Sequence, residues 1–167
     1  MDSLSPNGSQ AQLEPYILYT ADGSGGDAVE AALKIIGAPY ERVEIATWES
    51  EANRERMAAV NPMRQIPALI LPGGEVMTES AAILIWLADR HPDAQLAPAP
   101  DHPQRAQFLR WMSFISASIY SMYWVRDVPS RLAADAAGET AILERTNERI
   151  ADRWRIMDSQ VTPAPPA

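Results

Sequence analysis

The stretch that most restricts the fold runs from Ala68 to Arg90, ALILPGGEVMTESAAILIWLADR. ALIL is an apolar run of strand length, Pro72-Gly73-Gly74 supplies a turn, and EVMT is a second short strand, so together they predict a β-hairpin. The segment that follows, Ser80 to Arg90, carries Ile83, Leu84, Ile85, Trp86 and Leu87 and forms a helix that is apolar nearly all round. A helix of that kind is buried on more than one side. One side can cover a sheet, and the other has to meet a second domain or a second subunit.

Upstream, YILYT (Tyr16 to Thr20) is a β-branched and aromatic run bounded by Pro15 and by the turn-rich ADGSGGD, which predicts a strand. Ala28, Val29, Ala32, Leu33 and Ile36 then recur at helical spacing until Gly37 stops the helix. YERVEIA, with Tyr40, Val43 and Ile45 as its apolar members, is a second strand, and ESEANRERMAAVN is a solvent-facing helix with a weak stripe through Met57 and Val60. The order strand-helix-strand-helix-strand-strand-helix makes an α/β domain. HPDAQLAPAPDHP holds four prolines and forms a linker. Beyond it the chain is helical. QRAQFLRWMSFISASIYSMYW carries Leu109, Met112, Ile115, Ile119 and Tyr123 near helical period, and the final helix places Leu143, Thr146, Ile150, Trp154, Met157 and Val161 on one face. The expected division is a loose tail over 1–14, the α/β domain over 15–91, the linker over 92–103 and a helical C-terminal domain over 104–167.

A chain of 167 residues has room for one good core or two small domains. Its net charge of −8 and pI of 4.7 argue against a nucleic-acid partner. An anionic ligand would need local help from helix N-termini or an arginine. Cysteine is absent, which excludes disulfide exchange, protein thiolate nucleophiles and Cys-based metal sites. The two histidines, His91 and His102, have no plausible partners near them in sequence, so neither a metal nor a Ser-His-Asp site is expected. The polar start lacks the features of a secretory signal, and no apolar run approaches the roughly 20 residues that cross a bilayer. A soluble cytoplasmic protein with no membrane contact is the expectation.

The layout, together with N-P-x-x-Q-I-P-A-L from Asn61 and x-E-S-A-A-I-L-x-W-L-A-D from Thr78, resembles the glutathione S-transferase family, its bacterial members in particular. The similarity runs from about Tyr16 to Met157, and the combination of Pro67 with Glu79-Ser80 at this spacing is its specific part. The resemblance implies a thioredoxin-like N-terminal domain joined to an all-α C-terminal domain, usually in a homodimer, with glutathione as co-substrate, a hydrophobic electrophile as second substrate, and no metal.

On that resemblance, Pro67 looks like the family's cis-proline at the start of the third strand. A cis Ile66–Pro67 bond would turn the Ile66 backbone outward to pair with the cysteinyl backbone of glutathione as one more strand. The plain alternative is a proline that merely begins a strand. Glu79 and Ser80 suit a helix cap, yet the same physics holds a zwitterion. Free N–H groups and the Ser80 hydroxyl take a carboxylate, and Glu79 takes the adjacent ammonium of a γ-glutamyl group. Arg64 is either a solvated surface arginine or the residue that grips the glycine carboxylate of glutathione.

The family keeps the glutathione thiol deprotonated with a Tyr, Ser or Cys near the start of the first helix. Ser24 stands where serine-type members carry their serine, and Tyr19 is a fallback donor within the first strand. Ser24-x-x-Asp27 also has the shape of a capping box. Two departures stand out: Asp22 replaces a proline common in the family, and Asp27 puts a negative charge where it opposes a thiolate. Ser113, Ser116, Tyr120 and Tyr123 are candidates for the electrophile pocket. The chain stops at VTPAPPA, where proline cannot continue a helix, so the C-terminal domain is expected to be truncated relative to the family, with apolar helix faces left uncovered. The competing expectation for function is a transferase-like binding or interaction module without chemistry.

Overall fold

The computed structural model describes residues 14–161; apart from Glu14, the expected tail lies outside the described residues, as does the closing 162–167. Two compact units divide between Leu96 and Ala97, within the stretch read as linker.

The first unit is built on a four-stranded sheet in the order β2-β1-β3-β4. Strand β1 (Tyr16–Thr20) pairs parallel with β2 (Tyr40–Glu44) and antiparallel with β3 (Ala68–Ile70), and β3 pairs antiparallel with β4 (Val76–Thr78). The parallel pair requires a crossover, supplied by helix α1 (Gly26–Ile36). Gly37 ends that helix at φ 72°, a left-handed conformation that glycine adopts without penalty, and its N–H reaches back to the last turn. Helix α2 (Glu51–Ala58) links β2 to β3 and is capped by Ser50, whose side chain accepts from the Asn53 N–H. Helix α3 (Ser80–Arg90) follows β4.

Alternation along β1 sends side chains to two cores. Tyr16 and Leu18 face one layer, packed with Val29 and Leu33 of α1 and Ile83 and Leu87 of α3. Tyr19 faces the other, packed against Ile45, Met57 and Ala68. As expected of its composition, α3 has few exposed apolar side chains: Ile83 and Leu87 are fully buried, and Leu84 and Trp86 pack against the same core. The stretch read as linker begins as part of this unit, with a 3₁₀ turn at Pro92–Ala94 and Leu96 laid against the core.

The second unit is helical. Helix α4 (Arg105–Phe114), a π-helical turn (Ile115–Tyr120) and α5 (Ser121–Asp127) run on continuously, and a 3₁₀ turn (Pro129–Arg131) precedes the long α6 (Ala136–Gln160). Asp135 caps α6 by accepting from the Gly138 N–H at 2.8 Å. On α6 the buried stripe is narrower than periodicity suggests: Thr146 and Ile150 are buried, but Leu143 is 40% and Trp154 42% exposed. The Thr146 hydroxyl stays in this stripe because it donates to the Ile142 carbonyl one turn back, at 2.7 Å.

Candidate functional site

Strand register brings the separate motifs to one end of the sheet. Tyr19 pairs with Ala68, and Ala68 pairs with Thr78. One residue beyond this row, on three adjacent strands, stand Thr20, Pro67 and Glu79. From them lead the loop that carries Ser24, the Ile66–Pro67 bond and the first turn of α3.

The Ile66–Pro67 bond is cis. Pro67 is buried and Ile66 half-buried. Ile66 precedes the paired stretch of β3, and its main chain forms no hydrogen bond among the described residues. The turn ahead of it is organised by Asn61, a buried carboxamide. Its Nδ2 donates to the Gln65 carbonyl at 2.8 Å, its Oδ1 accepts from the Met63 N–H at 3.0 Å, and its carbonyl accepts from the Arg64 N–H at 2.8 Å. Arg64 itself sits at φ 57°, and its guanidinium donates to Glu51 Oε1 at 2.8 Å, both side chains about half exposed. Its side chain is thus committed to an ion pair that sequence separation concealed.

Helix α3 begins without a cap. Glu79 occupies the N-cap position at φ 66° and ψ 103°, and no side chain among the described residues bonds the first-turn N–H groups. The earliest helical bond runs from the Ile83 N–H to the Glu79 carbonyl. The donors of the first turn therefore remain available to an anion, beside the half-buried Ser80 and the exposed Glu79 carboxylate. A non-glycine residue at this φ is strained, and such strain clusters at ligand-binding positions. Capping, the plain reading of these residues, is not their local role.

The capping box expected at Ser24 is displaced by one residue. Gly25 is the N-cap of α1 and provides no side-chain bond. Ser24 Oγ accepts from the Gly26 N–H at 3.1 Å, and the Asp27 carboxylate reaches back to the Gly23 N–H at 3.0 Å. Gly26 lies hard against the strand, since a Cβ there would come within 1.8 Å of Thr20 Oγ1. The loop is also pinned from outside. Arg42 on β2 pairs with Asp22, with Glu44 and, at 3.0 Å, with Glu30, which also binds Lys34 at 2.7 Å and accepts from the Tyr40 hydroxyl at 2.9 Å. These bonds, the one from Lys34 foremost, hold the Glu30 carboxyl below its usual range. Asp22, a departure from the expected proline, thus has a partner of its own. The fallback donor Tyr19 packs into the α2-side core.

In the second unit, Ser116 and Tyr120 lie on the π-helical turn, Ser113 just before it and Tyr123 just after. Tyr120 and Tyr123 meet edge to face at 6.1 Å, and the Arg126 guanidinium stacks 4.4 Å over the Tyr123 ring. π-Helical turns are rare and frequent at functional sites. No metal-binding cluster occurs among the described residues, and no helix among them is long and apolar enough to cross a membrane.

Sequence reasoning missed Thr20, Gly26 and Asn61. The first two carry no signal until α1 folds back on β1. The third was legible only as a polar residue before a proline.

Comparison with known proteins points to one family and fold. Residues 27–90 match the model of the glutathione S-transferase N-terminal domain, a span that includes Arg64, Ile66, Pro67, Glu79 and Ser80 but stops short of Ser24. The chain is 36% identical over 120 residues to the uncharacterised GST-like protein YncG of Escherichia coli K12, covering 71% of this chain and 58% of that one. It is 37% identical over 104 residues to the glutathione S-transferase GstA of Escherichia coli O157:H7, covering 62% and 52%. The chain thus spans little more than half the length of these curated relatives. Among solved structures, a sphingomonad glutathione S-transferase in complex with glutathione superposes with a TM-score of 0.71 at 29% identity, covering 86% of this chain and 69% of that one.

Proposed function

The chain belongs to the glutathione S-transferase family, and from that premise we propose that it binds glutathione across the end of the β1-β3-β4 row and transfers the thiolate to a hydrophobic electrophile. The observation that carries this reading is the uncapped, strained start of α3 beside the unpaired backbone of Ile66. The γ-glutamyl carboxylate suits the free N–H groups and the Ser80 hydroxyl, and its ammonium suits Glu79. The cysteinyl amide suits the Ile66 backbone. Arg64 can serve the glycine carboxylate by leaving or sharing Glu51.

The chemistry asked of the protein is modest. A free thiol has a pKa of about 8.5, and lowering it by two units takes about 2.7 kcal/mol of preferential thiolate stabilisation. One hydroxyl donor and the first turn of α1 are of that order, and Ser24 is the donor within reach of that turn. The thiolate then attacks the electrophilic carbon and the leaving group departs with the electron pair. We propose a cytoplasmic homodimer as the working form.

A second reading, a module that binds glutathione without turnover, draws on Asp27, whose exposed charge in the first turn of α1 opposes a thiolate. Calorimetric titration with glutathione, followed by a conjugation assay with an aromatic halide, separates the two. The first reading expects binding and turnover, binding alone selects the module, and no binding discards both. Ser80→Ala ties the result to the site: affinity should fall by about 1–3 kcal/mol with the loss of a hydrogen bond to a charged group, with little change in melting temperature because Ser80 caps nothing.

A further inference from the structure

Thr20 is the last residue of β1 and is completely buried. Its hydroxyl has one partner among the described residues, Ser24 Oγ at 3.3 Å. Ser24 Oγ in turn accepts the Gly26 N–H at 3.1 Å, and Ser24 is half-buried. The pair is closely built, because Gly26 leaves no room for a Cβ beside Thr20 Oγ1.

We propose that Thr20 is a positioning residue that fixes the direction of the Ser24 proton. The proposal rests on the reading of Ser24 as thiolate donor. A hydroxyl has one proton and two lone pairs. The Gly26 N–H occupies one lone pair of Ser24. If Thr20 donates, it occupies the other, and the Ser24 proton can then only point outward, toward a bound sulfur. If Ser24 donated to Thr20 instead, its remaining lone pair would face the thiolate and repel it. An anion at the site therefore selects the arrangement in which Thr20 donates to Ser24 and Ser24 to sulfur. When the thiol ionises, its proton goes to solvent, and both hydroxyls keep theirs. Burial holds Thr20 to this role, since its hydroxyl has no water to turn to.

The test is the thiolate absorbance titration of bound glutathione, in a protein that has no cysteine of its own. Thr20→Val keeps the shape and removes the hydroxyl, Thr20→Ala removes it with no steric risk at Gly26, and Thr20→Ser restores it. The expected result is a bound-thiol pKa raised by about half to one unit in Thr20→Val and Thr20→Ala, returned to the parent value in Thr20→Ser, with glutathione affinity at acidic pH unchanged within about twofold. Loss of packing alone would move the melting temperature and not the titration. If Ser24→Gly raises the thiol pKa while Thr20→Val and Thr20→Ala titrate like the parent, the relay is wrong and the role of Ser24 stands. If Ser24→Gly also titrates like the parent, or the parent binds no glutathione, the proposed function of Ser24 fails and the relay with it.

Discussion

Asn61 Nδ2 donates to the Gln65 carbonyl at 2.8 Å, so a carboxamide only 3% exposed spans the turn that delivers Ile66 to the end of the sheet. Its Oδ1 is equally occupied, by the Met63 N–H. Asn61→Ala removes the side-chain partner of two main-chain groups in a part-buried turn, each bond being worth about 0.5–1.5 kcal/mol. The expected loss in urea denaturation is about 1–3 kcal/mol, with weaker glutathione binding in the fraction still folded. A loss below half a kcal/mol would mean that the turn holds itself.

At Glu79, stability and binding are expected to move in opposite directions. The residue sits at φ 66°, where a side chain costs about 1–3 kcal/mol and glycine costs almost nothing. Glu79→Gly should therefore raise stability by about 1 kcal/mol after the added chain entropy, yet weaken glutathione binding at least about tenfold through loss of the ammonium's partner. Glu79→Gln keeps the strain and should lose binding without gaining stability. Thermal melts and calorimetry on the two variants check both signs.

The pH dependence of stability is expected to have a component from His91. Its Nε2 is hydrogen-bonded to the Tyr16 hydroxyl at 3.0 Å, and the Tyr16 ring is itself buried against Trp86. Burial, with Arg90 beside it, lowers the His91 pKa below its ordinary 6.5. The unfolded chain therefore binds the proton more readily, and the contribution is full above 6.5 and lost as pH falls through the lower folded value. Glu30, also depressed, acts further down, below its ordinary 4.5. The urea midpoint should thus decline as pH falls below His91's ordinary 6.5, and His91→Gln should flatten that segment alone.

Much of this was legible in the sequence, for definite reasons. Each strand and helix of the first unit was fixed by its own period and by punctuation such as Gly37 and Gly73-Gly74, which act locally. Pro67 and Glu79-Ser80 stood out through the resemblance of their motif to the glutathione S-transferase family. What could not be read were contacts between segments that meet only after folding: Arg64 with Glu51, Arg42 with Asp22, Thr20 with Ser24 across the start of α1. Ser24 itself was ambiguous because a cap and a donor use the same oxygen. The π-helical turn at Ile115–Tyr120 left no mark in the apolar spacing. Trp154 fits the helical stripe on α6, and its exposure shows that a period places a residue on a face without saying how wide a face is covered.

The most direct test of glutathione recognition at the start of α3 is a pair of calorimetric titrations of the same chain, one with glutathione and one with N-acetylcysteinylglycine. The second ligand keeps the thiol, the cysteinyl amide and the glycine carboxylate but lacks the γ-glutamyl carboxylate and ammonium. Loss of two charge-assisted contacts, each about 1.5–3 kcal/mol, should weaken binding by about a hundredfold or more. Equal affinity for the two ligands, or no heat from glutathione itself, would contradict the assignment of Glu79, Ser80 and the uncapped turn as the γ-glutamyl site.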